Sequence, residues 1–456
     1  MTILIQNGTI VRSTGTEQAD LLVRDGKIDR IAPKIDCDCD QRIDASGCYL
    51  FAGFIDTHTH FDLDLGVTVT ADDFVSGTKA AVLGGTTTVL DFATQDRGMT
   101  MQEALDLWHR KARNSSCNYG FHMAVSEWNE ARKAEVDSMI EQGVTSFKMY
   151  MVYDAMKVDD GKIYDALKYT KERDCVIGVH CENYDLLQAR IAELKEAGRL
   201  DPTAHPDSRP QVVEADGISR LMHIAELADA PCWVVHLSTA QGLRIIEEAK
   251  ARGVEVYVET CPQYLVLDKE RYADADAEKF IMSPPLRQEP DRKALLSSLE
   301  NGNIDFIGTD HCSFTMEQKA LGKGDFSKVP NGGAGVQNRA ELVFTYAHRT
   351  GYLSLEGMAN VLSERAARLF GMYPQKGVLL EGSDADIVVF DPRDSHTISY
   401  RRNAHKCDNS PYEGIGVAGK TRDVVLNGEL VVQGGELIRP NRGKYVFRNR
   451  AERFHQ

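Results

Sequence analysis

Residues 51–60 read FAGFIDTHTH, an apolar run that stops abruptly in an Asp-Thr-His-Thr-His tail. Seven more runs of the same texture follow: TTVLDFA at 87–93, YGFHMAV at 119–125, SFKMYM at 146–151, CVIGVH at 175–180, CWVVHL at 232–237, VEVYVE at 254–259 and IDFIGTD at 304–310. Short, near-continuously apolar runs of this kind are the pattern of strands buried on both faces. Between them the spacing predicts amphipathic helices over 72–83, 102–113, 130–142, 160–173, 214–228 and 240–251. Gly84-Gly85 ahead of Thr86 suits a helix end turning into a strand. Parallel strands need helices to cover them, so eight such strands close most simply into an α/β structure, the parallel (β/α)8 TIM barrel. An open doubly wound sheet is the alternative, but no GxGxxG follows the first strand.

The texture changes at both ends. Residues 1–50 carry short strands with turn signals (ILIQNG, TIV, DLLVRDGKI, CYLF), and the same texture returns after 376 in DADIVVFD and DVVLNGELVV. This predicts a small composite β-sandwich built by both termini, residues 1–52 and 376–456, around a barrel over 53–375. The net charge of −15 argues against nucleic acid and against an anionic membrane surface as partners, since both need concentrated Lys and Arg. The start MTILIQNGTIV does not read as a signal peptide. No run of ~18 apolar residues offers a membrane span. The 10 cysteines are scattered without a CxxC pair, which reads as reduced thiols and predicts a cytoplasmic protein.

Barrel active sites gather at the carboxyl ends of the strands. Here the first strand ends in Asp56-Thr57-His58-Thr59-His60, the fourth carries Lys148, the fifth ends at His180, the sixth at His236 and the eighth at Asp310. His58 and His60 lie two apart, so on a strand both rings point the same way and can share one metal ion. A lone His closing an apolar run is more often a hydrogen-bonded core residue than a ligand. Four of them at the rims of one barrel point instead to a metal site. Lys148 interrupts an apolar strand, where a bare ammonium is costly. Two readings stay open for it: pairing with a carboxylate, or a neutral amine that adds CO2 to become a carbamate able to bridge two metals. Asp310 can bind metal, act as base, or merely cap a helix. By alternation His311 points away from the mouth, and His122 is expected to serve the core or support the ligands.

The blocks GFIDTHTHFD, SFKMYMVYD, VHCEN, VVHLS, ETCPQYLVLD, MSPPLR, GTDHCSF and VPNGGAGVQNR, in this order, resemble the dihydropyrimidinase and hydantoinase branch of the amidohydrolase superfamily. KGDFSKVPNG and MYPQKG resemble its bacterial D-hydantoinase, or phenylhydantoinase, type. The resemblance implies one divalent cation, zinc by expectation, on His58, His60, Asp310 and a bridging carbamylated Lys148 (N6-carboxylysine). It implies a second on Lys148, His180 and His236. Tyr153 corresponds to a tyrosine that donates to the oxyanion, and Ser283 and Asn331 to positions that meet the ring amide of a small cyclic ureide or imide. The implied reaction is ring opening of 5-substituted hydantoins or dihydropyrimidines to N-carbamoyl amino acids by metal-activated hydroxide, with Asp310 moving the proton. Allantoinase, dihydroorotase and a non-catalytic scaffold of the same fold are the rival readings, and a homotetramer is the implied assembly. The chain departs from the family pattern at FAG, 51–53, where a proline-glycine pair is usual, and in the variable loop FDLDLGV after His60.

Overall fold

In the computed structural model, which describes residues 1–450, the strands fall into two sheets. The first five strands, β1 (Thr2–Arg12), β2 (Gly15–Arg24), β3 (Lys27–Ala32), β4 (Gln41–Asp44) and β5 (Tyr49–Ala52), belong to the terminal sheet. Then come β6 (Phe54–Thr59), β7 (Thr86–Gln95), β8 (Asn118–Val125), β9 (Ser146–Tyr150), β10 (Val176–His180), β11 (Cys232–Val234), β12 (Val256–Thr260) and β13 (Phe306–Ile307). These eight follow one another in chain order, and every neighbouring pair is parallel. That is the barrel. Helices span Phe74–Leu83, Met101–Lys111, Glu130–Glu141, Asp160–Lys171, Gln211–Ala228 and Ala240–Ala251, each within a few residues of its expected range. Their starts are locally encoded: Asp73, Thr100, Asn129, Asp159 and Thr239 each accept a backbone N–H of the first turn.

The chain returns to the terminal sheet with β14 (Ile387–Thr397), β15 (Gly416–Leu426), β16 (Glu429–Gln433) and β17 (Glu436–Leu437). Both ends of the chain therefore build one β-rich unit, ordered β17-β16-β15-β14-β5-β1-β2-β3, with β4 beside β1. Its register shifts in β1 between Ile5 and Gly8, and β1 changes partner there from β4 to β5. The unit encloses its own core, with Ile3, Ile10, Leu21 and Val23 from the first end meeting Ile387, Val389, Val425 and Leu430 from the second.

The run FAGFID is divided between the two sheets. Phe51 and Ala52 pair with Val388 and Ile387 of β14, Gly53 turns, and Phe54 opens the barrel. A Cβ on Gly53 would fall 2.0 Å from Thr87 Oγ1, so the junction accepts no larger residue without movement. Two other strands are shorter than their apolar runs. Only Cys232–Val234 of CWVVHL and Phe306–Ile307 of IDFIGTD keep ladder geometry. The chain leaves the strand just where His236 and Asp310 take up left-handed backbone, φ 39° and 52°.

The seam between β6 and β13 is closed by other means. His60 N–H donates to His311 O at 2.8 Å, and Thr309 donates through N and Oγ1 to Asp56 at 3.0 and 2.7 Å. Beneath them the fully buried Arg339 guanidinium donates to Ile55 O at 2.7 Å and Ile307 O at 2.8 Å. A side chain thus supplies the donors that the missing ladder would have supplied.

Candidate metal centre and active site

At the carboxyl end of the barrel the structure brings together the six side chains singled out from the sequence. Lys148 Nζ lies 2.9 Å from His58 Nε2. Asp310 Oδ1 lies 3.2 Å from His58 Nε2 and 3.3 Å from His60 Nε2. Across the mouth His236 Nε2 faces His180 Nδ1 at 3.0 Å, and the rings of His58 and His236 are 5.4 Å apart between centroids. Nitrogen and oxygen ligand atoms of His58, His236 and Asp310 sit within 4.8 Å of one another, a spacing that could hold a cation.

The outward nitrogens explain why the inward ones are free to bind. His58 Nδ1 is 2.6 Å from Glu259 Oε1, and His180 Nε2 is 2.7 Å from Glu182 Oε2. A ring N–H committed to a carboxylate leaves the opposite nitrogen with its lone pair turned into the site. Burial pushes His58, His180 and His236 below the usual histidine range, so they are neutral and fit for ligation. Two more ring nitrogens, Nδ1 of His60 and of His236, are buried without a partner among the described residues. This donor set, imidazoles with one carboxylate and a buried amine, suits zinc or a similar divalent ion.

Glu259 and Glu182 were not singled out from the sequence. Glu259 closes the seventh apolar run as Lys148 interrupts the fourth, and that shared oddity was the available signal. Besides His58 it accepts the Thr57 hydroxyl at 2.7 Å and the His236 N–H at 3.2 Å, so one carboxylate aligns the segments that carry His58 and His236. Burial raises the Glu182 carboxyl, but Arg209, which donates to it at 2.5 Å, and His180 outweigh this and hold it well below the carboxylate range. Phe92 was also missed. It forms the apolar floor, its ring centroid 4.2 Å from Lys148 Nζ and 5.0 Å from the stacked His60 ring.

Lys148 is only 1% exposed, and burial lowers its pKa against the pull of Asp310 and Glu259. A lysine in such a place gives up its proton readily. Burial would raise Asp310, but His58, His60 and His236 overcome it, so the carboxylate is ionised throughout the neutral range. Tyr153, at φ 73°, is raised by burial and remains a hydroxyl donor. Nearby, Ser283 Oγ donates to Asn331 Oδ1 at 2.8 Å. Of the three residues assigned to the ring substrate, Ser283 and Asn331 are thus joined directly, and the Tyr153 ring lies 5.2 Å from that of His180. Tyr153, His236 and Asp310 all hold positive φ, a cost that tends to be tolerated where function fixes the backbone. His311 turns away to Asp72 at 3.2 Å, and His122 bonds Ser146 Oγ at 2.5 Å and Thr57 O at 3.1 Å, supporting the first strand from below.

With this geometry in view, the likeness to known proteins is specific. The model of the Amidohydrolase family matches residues 49–431. The chain belongs to the amidohydrolase family. Within that family it is 41% identical over 455 residues to the D-hydantoinase of Geobacillus stearothermophilus, covering 98% of this chain and 97% of that protein. It is 39% identical to a D-phenylhydantoinase of Escherichia coli, with 98% of each covered. Among solved structures it resembles dihydropyrimidinase from Brevibacillus agri NCHU1002 (TM-score 0.97, 40% identity, 99% of each chain). The likeness to the L-hydantoinase (dihydropyrimidinase) of Arthrobacter aurescens is lower, with TM-score 0.89, 30% identity and 98% and 99% of the two chains covered. This amidohydrolase has, among its described residues, no helix long and apolar enough to cross a membrane.

Proposed function

We propose that this amidohydrolase opens the ring of 5-substituted hydantoins or dihydropyrimidines, releasing N-carbamoyl amino acids. The observation that carries the reading is the pairing of two inward-facing imidazole groups around one fully buried lysine. His58, His60, Asp310 and Lys148 would hold one divalent cation, and His180, His236 and Lys148 the other, with zinc the expected metal and Lys148 carbamylated so that it reaches both. When bound, the pair supplies hydroxide at neutral pH and withdraws electrons from the scissile carbonyl.

The residues of the chain carry the remaining work. Ser283 and Asn331 orient the ring amide, and Tyr153 directs its hydroxyl at the carbonyl oxygen, where negative charge develops. Asp310, ionised at working pH, accepts the proton of the attacking water and returns it to the leaving ring nitrogen, so the C–N bond breaks without releasing an anionic amide. Phe92 and the buried rim keep bulk water from the reacting centre. A homotetramer in the cytoplasm is the assembly and location that accompany this reading.

The test is a rate comparison with metal-replete protein on dihydrouracil, hydantoin, 5-phenylhydantoin, allantoin and dihydroorotate. The highest kcat/KM is expected on a hydantoin or on dihydrouracil. A preference for allantoin or dihydroorotate would move the chain to a rival specificity, and no turnover of any of the five would leave the scaffold reading standing.

A further inference from the structure

Lys319 is a buried lysine that lies outside the metal centre and takes no part in the chemistry above. Lys319 is 1% exposed, and its Nζ donates to three backbone carbonyls, Ile281 O at 2.9 Å, Pro330 O at 2.7 Å and Gly332 O at 2.7 Å. No carboxylate is hydrogen-bonded to it among the described residues. Burying an ammonium without a counter-ion is unfavourable, and three carbonyl dipoles on its three N–H groups are the arrangement that makes it tolerable.

The three carbonyls are not scattered. Ile281 precedes Ser283 by two residues, and Pro330 and Gly332 flank Asn331. The two segments also touch directly, through Gly332 N–H to Ile281 O at 3.0 Å and Ser283 Oγ to Asn331 Oδ1 at 2.8 Å. A Cβ on Gly332 would lie 2.3 Å from Cys312 O, so this loop is pressed against the segment that follows Asp310. The lysine is itself anchored. It ends the short helix Met316–Lys319, which Thr315 and Gln318 cap reciprocally, and Gln318 Nε2 holds Thr68 Oγ1 at 2.8 Å and Val69 O at 2.6 Å in the loop after His60.

We propose that Lys319 is a positioning residue that clamps the Ser283 and Asn331 loops together and so sets the slot for the ring amide. This rests on the reading that Ser283 and Asn331 meet the substrate. The clamp acts on loops that would contact the ring alike in ground and transition states, so its loss weakens binding rather than the chemical step.

The experiment compares wild type, Lys319→Met and Lys319→Gln, each metal-replete, on whichever of dihydrouracil or 5-phenylhydantoin the wild type hydrolyses faster. The Met variant is expected to raise KM about tenfold or more while kcat stays within about threefold and metal content is unchanged, and the Gln variant, which keeps an N–H donor, falls between. Amide hydrogen exchange should quicken at Ile281, Met282 and Ser283 and at Asn331, Gly332 and Gly333, and not elsewhere. Unchanged KM in an active enzyme overturns the inference, as does a parallel loss of metal and kcat. If neither variant folds, Lys319 is a general structural residue and the positioning role is refuted. A wild type inactive on every ring would sink the functional reading instead. Exchange then decides for the clamp alone: faster exchange confined to the two loops supports it, and unchanged exchange overturns it.

Discussion

Tyr153 shows how much a single side chain carries in this site. Its left-handed backbone, φ 73°, aims the ring beside His180, and burial keeps the hydroxyl protonated far into the alkaline range. Tyr153→Phe removes one preorganised donor and leaves every proposed ligand in place. We expect kcat to fall by roughly 10²–10³ with metal content unchanged, measured by steady-state kinetics beside elemental analysis. An unaltered kcat would remove the oxyanion role. The sequence was informative here wherever a polar side chain interrupts or ends an apolar strand, because burial makes such a residue costly unless something uses it. That logic found His58, His60, Lys148, His180, His236 and Asp310. It passed over Glu259 and Glu182, whose purpose shows only when the His58 and His180 rings are seen to need a partner for their outer nitrogens. Lys319 was invisible for a similar reason, since its three acceptors are backbone carbonyls from distant segments.

Among the elements, periodicity located the helices and the strands but not how the strands are used. FAGFID belongs to two sheets, a division that hydrophobicity alone cannot reveal because Phe51 and Phe54 are equally buried. The β11 and β13 ladders stop early so that His236 and Asp310 can turn inward, and the seam to β6 is left to side chains. Arg339 carries much of that closure through Ile55 O and Ile307 O, with Thr86 Oγ1 3.2 Å from the same guanidinium. Replacing it with Met leaves buried carbonyls unpaired. Arg339→Met should lose about 3 kcal/mol or more and show an earlier denaturation midpoint by circular dichroism. A midpoint equal to wild type would show that the seam closes without it.

At the scale of the whole molecule, both chain ends meet in one β-rich unit, as the matching texture of 1–50 and the region after 376 suggests. The return of the C-terminal segment beneath the barrel is not legible in the same way. Arg448 reaches Ser146 Oγ at 2.8 Å there, in a stretch with no periodic pattern. Burial also gives the molecule a pH signature. His58, His122, His180, His205, His236 and His405 are all pushed below the ordinary 6.5, His205 to about 3 and His405 to about 4. The unfolded chain therefore binds protons that the folded chain refuses. Their contribution to stability is complete above pH 6.5 and is lost as the pH falls from there toward about 3, and the depressed carboxyls of Asp310 and Glu182 add their loss at the acid end. Chelator-treated protein should unfold at progressively lower temperature between pH 7 and pH 5, and a level Tm across that interval would contradict the assignment of buried neutral histidines. The proposed hydrolysis depends on Lys148 joining two cations. Anomalous X-ray diffraction from crystals of metal-replete protein tests this most directly. It should show two metal peaks per chain flanking Lys148, with density for a carboxylate on Nζ. A single peak, or none, beside an unmodified amine would contradict it.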